Sequence, residues 1–456
     1  MKPNLVSPSG LPLVVQVAFA GKRRLLDTTR HPGVDPKTFH EALAGQLTER
    51  LRRLPSDLGL SPRHAVCALS SLAAGGDLLF TRACAALGWW QRILLPQPRE
   101  DFLAAGGETG PDFSPDDAAE ARRLLASPQV IEERVVSLSA DRHTRFEDVN
   151  LELVRTCDVL VCLLPAEADD GKRAGTLETL DLAKRWRRPV LELRAGLRDD
   201  GTPALTEQWH WPPVKGPMPD PSPKPFAPPV LPAPLDQIHG AAGGLSDGGA
   251  YRQTLKDFAT EAARKRRRRF KWAALIIVGA HVVATALALL AIKTHGQTAL
   301  GWLLGVELSF LATGLAYHEW LHRWHAAREW AMARLSAEIA RSVIPVAGVP
   351  RALRHLFDLP MPDNLRPLLR TLDVLHLAGL RSLTGDWQTR RQAYVADRLR
   401  KPGVGQLDYY GKQLESARRW LILARGTFYL GSAGACLATA AKLTLTLEAW
   451  HAGPVT

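Results

Sequence analysis

Two hydrophobic rhythms divide the chain. As far as about residue 195, short apolar runs alternate with stretches that are apolar on one helical face; from Trp272 onward the apolar runs lengthen to the thickness of a bilayer. Leu13–Ala20 is nearly continuous in apolar residues, which predicts a strand buried on both faces. Asp35 and Pro36 read as the N-cap and first position of a helix whose Phe39, Leu43, Leu47, Leu51 and Leu54 form one stripe. Further strands are predicted at Ala65–Leu69, Trp90–Leu95, Val135–Leu138, Asp158–Leu164 and Pro189–Leu193. Between them fall a helix ending at Leu87, with Gly88 as its C′ residue, and helices over Ser114–Leu125, Phe146–Cys157 and Thr176–Trp186. Strands alternating with helices predict an α/β, doubly wound, Rossmann-like domain on a parallel sheet.

The second rhythm predicts a membrane. Trp272–Ile292 holds 21 residues without a formal charge between Lys271 and Lys293, and Thr298–Tyr317 carries Glu307 alone. Each run suffices for a helix across about 30 Å of hydrocarbon, and the short turn between them makes the pair a transmembrane hairpin. Arg264–Lys271 places seven bases in eight positions before the first run, and His318, His322, Arg323 and Arg328 follow the second. By the positive-inside rule both flanks are cytosolic and the turn lies outside. Met1–Pro12 has no apolar signal core, so the α/β domain is expected to stay in the cytosol.

Helical patterns then fill Glu319–Ile344, Arg351–Leu359, Asn364–Leu383, Trp387–Leu399 and Gln406–Trp420. Trp420–Leu447 is a third apolar stretch, interrupted by Arg425 and Lys442, which either crosses once or packs as a core helix. The expected division is therefore 1–211 for the α/β domain and 251–456 for an all-α membrane domain. The proline- and glycine-rich 212–250 between them is an extended tether. Within the hairpin, Gly301, Gly305, Ser309 and Thr313 make a small-residue ridge that suits Ala280, Ala284 and Ala288. Two arrangements fit: His281 pairs with Glu307 inside one hairpin, or the ridges pack and Glu307 faces another subunit or a pore. The ridge reading is preferred, because four small residues in register specify a face more strongly than one polar pair.

Composition changes this picture little. The formal net charge of +12 would suit nucleic acid, but much of it lies beside the hairpin, where anionic headgroups are the nearer partner. No nucleic acid is expected. Five cysteines, at 67, 84, 157, 162 and 435, show no metal spacing.

Chemistry is expected outside the carboxyl ends of the strands, where ligands of doubly wound sheets sit. Three of those ends are glycine-bearing turns: Gly21, Gly75-Gly76 and Gly171 to Gly175. Glycine lets backbone amides approach a phosphate at the positive end of the following helix, and Lys22, Arg23 and Arg99 add full charges.

Several motifs carry a family resemblance. A-F-A-G-K-R at the first turn, A-L-S-S-L-A-A-G-G-D with Ser70 and Ser71 at the second, L-L-P-Q-P-R-E-D-F, C-D-V-L-V-C and A-G-T-L-E resemble the SLOG superfamily over about residues 11–195. That superfamily groups the Lonely Guy phosphoribohydrolases, the DNA-processing Smf proteins and the ligand-sensing domains of melastatin TRP channels. In the Lonely Guy enzymes the last motif opens with P-G-G and its Glu works on the glycosidic bond. Here Lys172-Arg173-Ala174 stands in place of P-G-G, ahead of Gly175-Thr176-x-Glu178. The resemblance implies phosphate binding by the loop and favours sensing over hydrolysis. Leu255–Ala417 resembles the SLATT module, a two-transmembrane effector found with SLOG sensors in prokaryotic conflict systems. Its carriers are the hairpin, W-H-A-A-R-E-W-A-M-A-R-L-S-A-E-I-A-R-S and Y-V-A-D-R-L-R-K-P-G-V-G-Q-L-D-Y-Y-G-K.

Together the resemblances imply a multi-pass, homo-oligomeric effector of the inner (cytoplasmic) membrane in anti-phage defence. A nucleotide-derived ligand, and no cofactor, would trigger its pore. The ligand residues would be Gly21, Lys22, Arg23, Ser70, Ser71, Gly75, Gly76, Arg99, Gly175, Thr176 and Glu178; the membrane residues would be His281, Gly301, Gly305 and Glu307. The alternatives are a membrane-anchored nucleotide phosphoribohydrolase using Glu178 and a DNA-binding protein of the Smf kind.

Overall fold

The computed structural model describes residues 13–60, 64–104, 106–107, 110–166, 175–212, 248–291, 297–323, 326–346, 349, 365–381, 383, 386–403, 405–423, 425–426 and 429. The tether, the Gly171 loop, the hairpin turn, the expected helix at 351–359 and most of 420–447 lie outside those residues. The chain divides into two compact units, 1–384 and 385–456.

The first unit is built on a seven-stranded sheet in the order β6-β3-β2-β1-β7-β8-β9. Its strands are β1 (Val14–Gly21), β2 (Ala65–Ser70), β3 (Trp90–Leu95), β6 (Val130–Val135), β7 (Val159–Pro165), β8 (Val190–Leu197) and β9 (Pro203–His210). All pairs are parallel except β8 with β9. Strand order reverses between β1 and β7, which is the switch point of a doubly wound sheet. A two-stranded ribbon, β4 (Gly106–Gly107) with β5 (Gly110–Pro111), stands apart from it.

Local chemistry explains most of the elements. In α1 (Pro36–Asp57), Asp35 caps the amides of Lys37 and Thr38, and the buried residues are Phe39, Leu43, Leu47, Leu51 and Leu54. That is the predicted stripe. β1 alternates within its burial: Val15, Val17 and Phe19 pack with α1 and α2 (Gly76–Ala86), while Ala18 and Ala20 pack with the opposite core. That second core contains α5 (Arg142–Thr156) and α6 (Thr176–Arg185). Two short helices, α3 (Arg99–Ala104) and α4 (Pro115–Leu125), complete the domain.

Beyond the tether, α7 (Gly248–Ala291) runs unbroken for 44 residues, about 66 Å at 1.5 Å per residue. It is followed by α8 (Gln297–Arg323), α9 (Ala326–Val343) and α10 (Arg366–Arg381). Among the described residues one helix, α7, is long and apolar enough to cross a membrane. The described part of α8 does not meet that test.

Two expectations are corrected. The strand expected at Val135–Leu138 lies earlier, at Val130–Val135, because V-I-E-E-R-V reads as surface. In the fold Glu132 and Arg134 face Arg92 and Glu152 and are largely covered. Antiparallel β9 was not foreseen. Of the helix expected over Glu319–Ile344, the described residues are helical up to Arg323 and again over Ala326–Val343, and 324–325 lie outside the described residues. The α8 face against α7 contains Gly314, where a Cβ would lie 2.9 Å from the His281 ring and 3.6 Å from Ala280. Leu303 and Glu307, half-buried, belong to that same face, whereas Gly301, Gly305, Ser309 and Thr313 are exposed and a Cβ at Gly301 or Gly305 would meet nothing within 4 Å. Of the alanines expected to face that ridge, Ala280 and Ala284 are buried and Ala288 is half-buried, but the ridge they were to meet is exposed.

The second unit holds α11 (Trp387–Tyr394), capped by Asp386, a π-helical turn over Val395–Arg400 and a helix over 406–423.

Two edges of one sheet: the candidate ligand site and its opposite end

At the carboxyl edge, the turn after β1 meets the start of α2. A Cβ on Gly21 would stand 2.9 Å from Gly76 Cα, and one on Gly75 would stand 2.2 Å from the Arg23 carbonyl oxygen. Gly75 has φ of 85°, a conformation that glycine alone adopts without strain. These glycines therefore bring two loops into backbone contact. Their amides are bonded inside the fold: Gly76 N–H donates to Lys22 O (3.0 Å) and Gly21 N–H to Asp77 Oδ1 (3.0 Å). The Lys22 amide donates to Leu163 O on β7 (3.0 Å), tying the turn across the switch point.

Asp77 is the hub of this turn. Its carboxyl accepts from Gly21, from the Ser71 hydroxyl and from the Ala73 amide. Full burial pushes its pKa up to about 6 even though the Ser71, Gly21 and Ala73 donors work the other way. Ser70 is buried too, its hydroxyl 2.9 Å from that of Thr81. Both predicted serines thus hold α2 in place.

The remaining site residues are spread along the same edge. Gly175 is the N-cap of α6, Thr176 is buried and Glu178 is exposed on the first turn. Arg99, on α3, forks onto Glu133 of β6. Arg23 is half-exposed and donates to Asp112 (2.5 Å), which also accepts from Arg142 at the start of α5. Arg142 lies over the Phe146 ring at 5.8 Å. Neither Asp112 nor Arg142 was singled out by sequence: Asp112 is 89 positions from Arg23, and no motif joins them. Among the described residues no group of three or more His, Cys, Asp or Glu side chains is placed to hold a metal.

The amino edge carries a second polar cluster, and there α10 docks. Residues 368 to 376 of this helix are buried without interruption. Thr371 Oγ1 accepts the Val14 amide at the start of β1 (2.9 Å), and Arg370 pairs with Asp158, which itself accepts the Gln16 amide (2.9 Å). Arg92 on β3 reaches Glu132 (2.6 Å), Gln16 (3.1 Å) and Asp373 of α10 (3.1 Å). Burial works against the Arg92 charge, but Glu132 and Asp373 more than offset it, so its pKa rises. Arg381 donates to the carbonyls of Ser127 (2.7 Å) and Val130. One apolar core joins α10 to Leu13, Val14 and Cys67 of the sheet, to Tyr251, Leu255 and Ala259 of α7, and to Ala337 and Ala340 of α9.

On α7, Arg264, Arg267, Arg268 and Lys271 line one groove with Trp272 and Leu275, where the charged part of the helix gives way to the apolar part. No protein-family model matches the chain, and comparison with curated proteins finds no match.

Proposed function

We propose that the protein is a ligand-gated membrane effector. A nucleotide-derived anion binds the carboxyl edge of the sheet, and α10 passes the change from the amino edge to the membrane helices. The observation that carries this reading is the buried docking of α10 between the sheet and the first half of α7. β1 is the link. Its last amide is held by Asp77 and its first by Thr371, about 23 Å apart for an eight-residue strand. A ligand that moves the β1–α2 turn acts on a strand whose other end is held by α10. The shift is limited to the ligand's differential affinity for the two arrangements.

The output is a pore or membrane disruption by a homo-oligomer in the inner membrane, with the α/β domain in the cytosol. The motif resemblances to SLOG sensors and SLATT effectors, and hence to anti-phage defence, support this. So does the cationic groove on α7 running into Trp272, since bases and Trp mark the cytosolic side of a span. Glu307 and His281 are its intramembrane polar groups, and such groups are functional candidates by default.

The test is ion leakage from liposomes carrying the full chain, measured with and without added nucleotides. Ligand-triggered leakage is expected, altered in Glu307→Gln with expression and nucleotide binding intact. Leakage indistinguishable from wild type in that variant would remove Glu307 from the pathway. The enzyme reading predicts release of base from a nucleoside monophosphate, abolished in Glu178→Gln; observing that would replace the sensor reading.

A further inference from the structure

The carboxyl edge holds a pair of arginines whose arrangement needs explaining. Arg23 comes from the turn after β1 and Arg142 from the first position of α5, yet both guanidiniums reach the same carboxylate. Asp112 uses one oxygen for each: Oδ1 takes Arg23 Nη1 at 2.5 Å and Oδ2 takes Arg142 Nη2. The Asp112 side chain is 2% exposed, whereas those of Arg23 and Arg142 are 46% and 42% exposed. The carboxylate thus lies beneath two cations that face outward. Two guanidiniums so placed would repel each other without it, and the trio retains one net positive charge. Arg142 is further steadied by the Phe146 ring beneath it.

We propose that Arg23 and Arg142, held together by Asp112, form the phosphate-binding pair of the site, taking the phosphomonoester or diphosphate end of the ligand. The proposal rests on the carboxyl-edge reading given above. Guanidinium is suited to the task, because its planar fork of N–H donors matches phosphate oxygens in bidentate geometry. It also supplies what the glycine turn does not, since the Gly21 and Gly76 amides are already bonded within the fold. Asp112 is a positioning residue in this scheme. Buried below the pair, it sets the spacing of the two cations and does not compete for the anion.

The test is calorimetric titration of the detergent-solubilised full chain with inorganic pyrophosphate and, separately, with ADP. Arg23→Gln and Arg142→Gln are each expected to weaken pyrophosphate binding on the order of ten-fold or more, as loss of a charge-assisted contact does. Arg142→Lys keeps the charge without the fork and should recover only part of the loss. Asp112→Asn should weaken binding, and Asp112→Glu should restore part of it. Thermal unfolding of each variant identifies any that fail to fold. Wild-type affinity in both arginine variants overturns the pair while leaving the carboxyl-edge reading in place. Tighter binding in Asp112→Asn overturns it as well, since the carboxylate would then be a competitor. If wild-type protein binds neither compound, the carboxyl-edge reading falls and the pair falls with it.

Discussion

Replacing Arg370 with Met tests the clamp on which the proposed signal transfer depends. The side chains of Arg370 and Asp158 are 8% and 9% exposed, so the pair is effectively desolvated. Removing one partner of a buried pair costs roughly 3–5 kcal/mol, because the other charge is left uncompensated. Asp158 keeps one donor, the Gln16 amide at 2.9 Å, which places the expected loss near the lower end, about 3 kcal/mol. For a domain of some 200 residues this lowers the melting temperature by about 6–12 °C. Asp158→Asn leaves a buried guanidinium and should cost a similar amount. The double variant should recover on the order of 1–3 kcal/mol of the summed loss, since the two residues are in contact.

Denaturant unfolding of the full chain in detergent reads these values, and hydrogen exchange locates them. The Val14 amide, whose acceptor Thr371 is the neighbour of Arg370, should lose protection ahead of the carboxyl-edge amide of Gly21. If Arg370→Met falls within about 0.5 kcal/mol of wild type, as a bland surface change would, and Val14 stays protected, α10 is not held by this pair. The proposed route to the membrane would then lose its mechanical basis.

Two further outcomes follow from the carboxyl edge. Gly75→Ala should destabilise by about 1–3 kcal/mol from backbone strain alone, and by more where the new Cβ presses on the Arg23 carbonyl 2.2 Å away; wild-type stability in denaturant would mean the turn relaxes freely. Asp77 sets a pH dependence. Its carboxyl, raised to about 6 from an unfolded value near 3.9, binds a proton more tightly when folded. Its contribution to stability is therefore fully present below about pH 4 and is lost as pH rises through about 6, roughly 3 kcal/mol in all. Asp77→Asn should abolish that slope, so the difference between wild type and variant should change with pH over this window; a constant difference would refute the assignment.

How much of this could be read in advance depends on whether a signal is local. The α1 stripe and its Asp35 cap, the nearly continuous apolar strands β1, β2 and β7, and the apolar length of α7 are all written in spacing along a few turns, and the fold kept them. A period of two or 3.6 says which face of an element is covered. It does not say by what. β6 was misplaced because its Glu132 and Arg134 look like surface until Arg92 and Glu152 are brought beside them. α10 carries Arg370 and Asp373 among its leucines; its residues 368 to 376 are covered without interruption because Asp158 and Arg92, more than 200 positions away, neutralise those charges. The glycines at 21, 75 and 76 were legible as a special turn, but whether they open toward a ligand or close against each other depended on Asp77 and on the approach of two loops. The Arg23–Asp112–Arg142 trio had no signature at all. Charge compensation at a distance leaves no periodicity in the chain, so only the tertiary structure decided which polar residues are buried and which face the solvent.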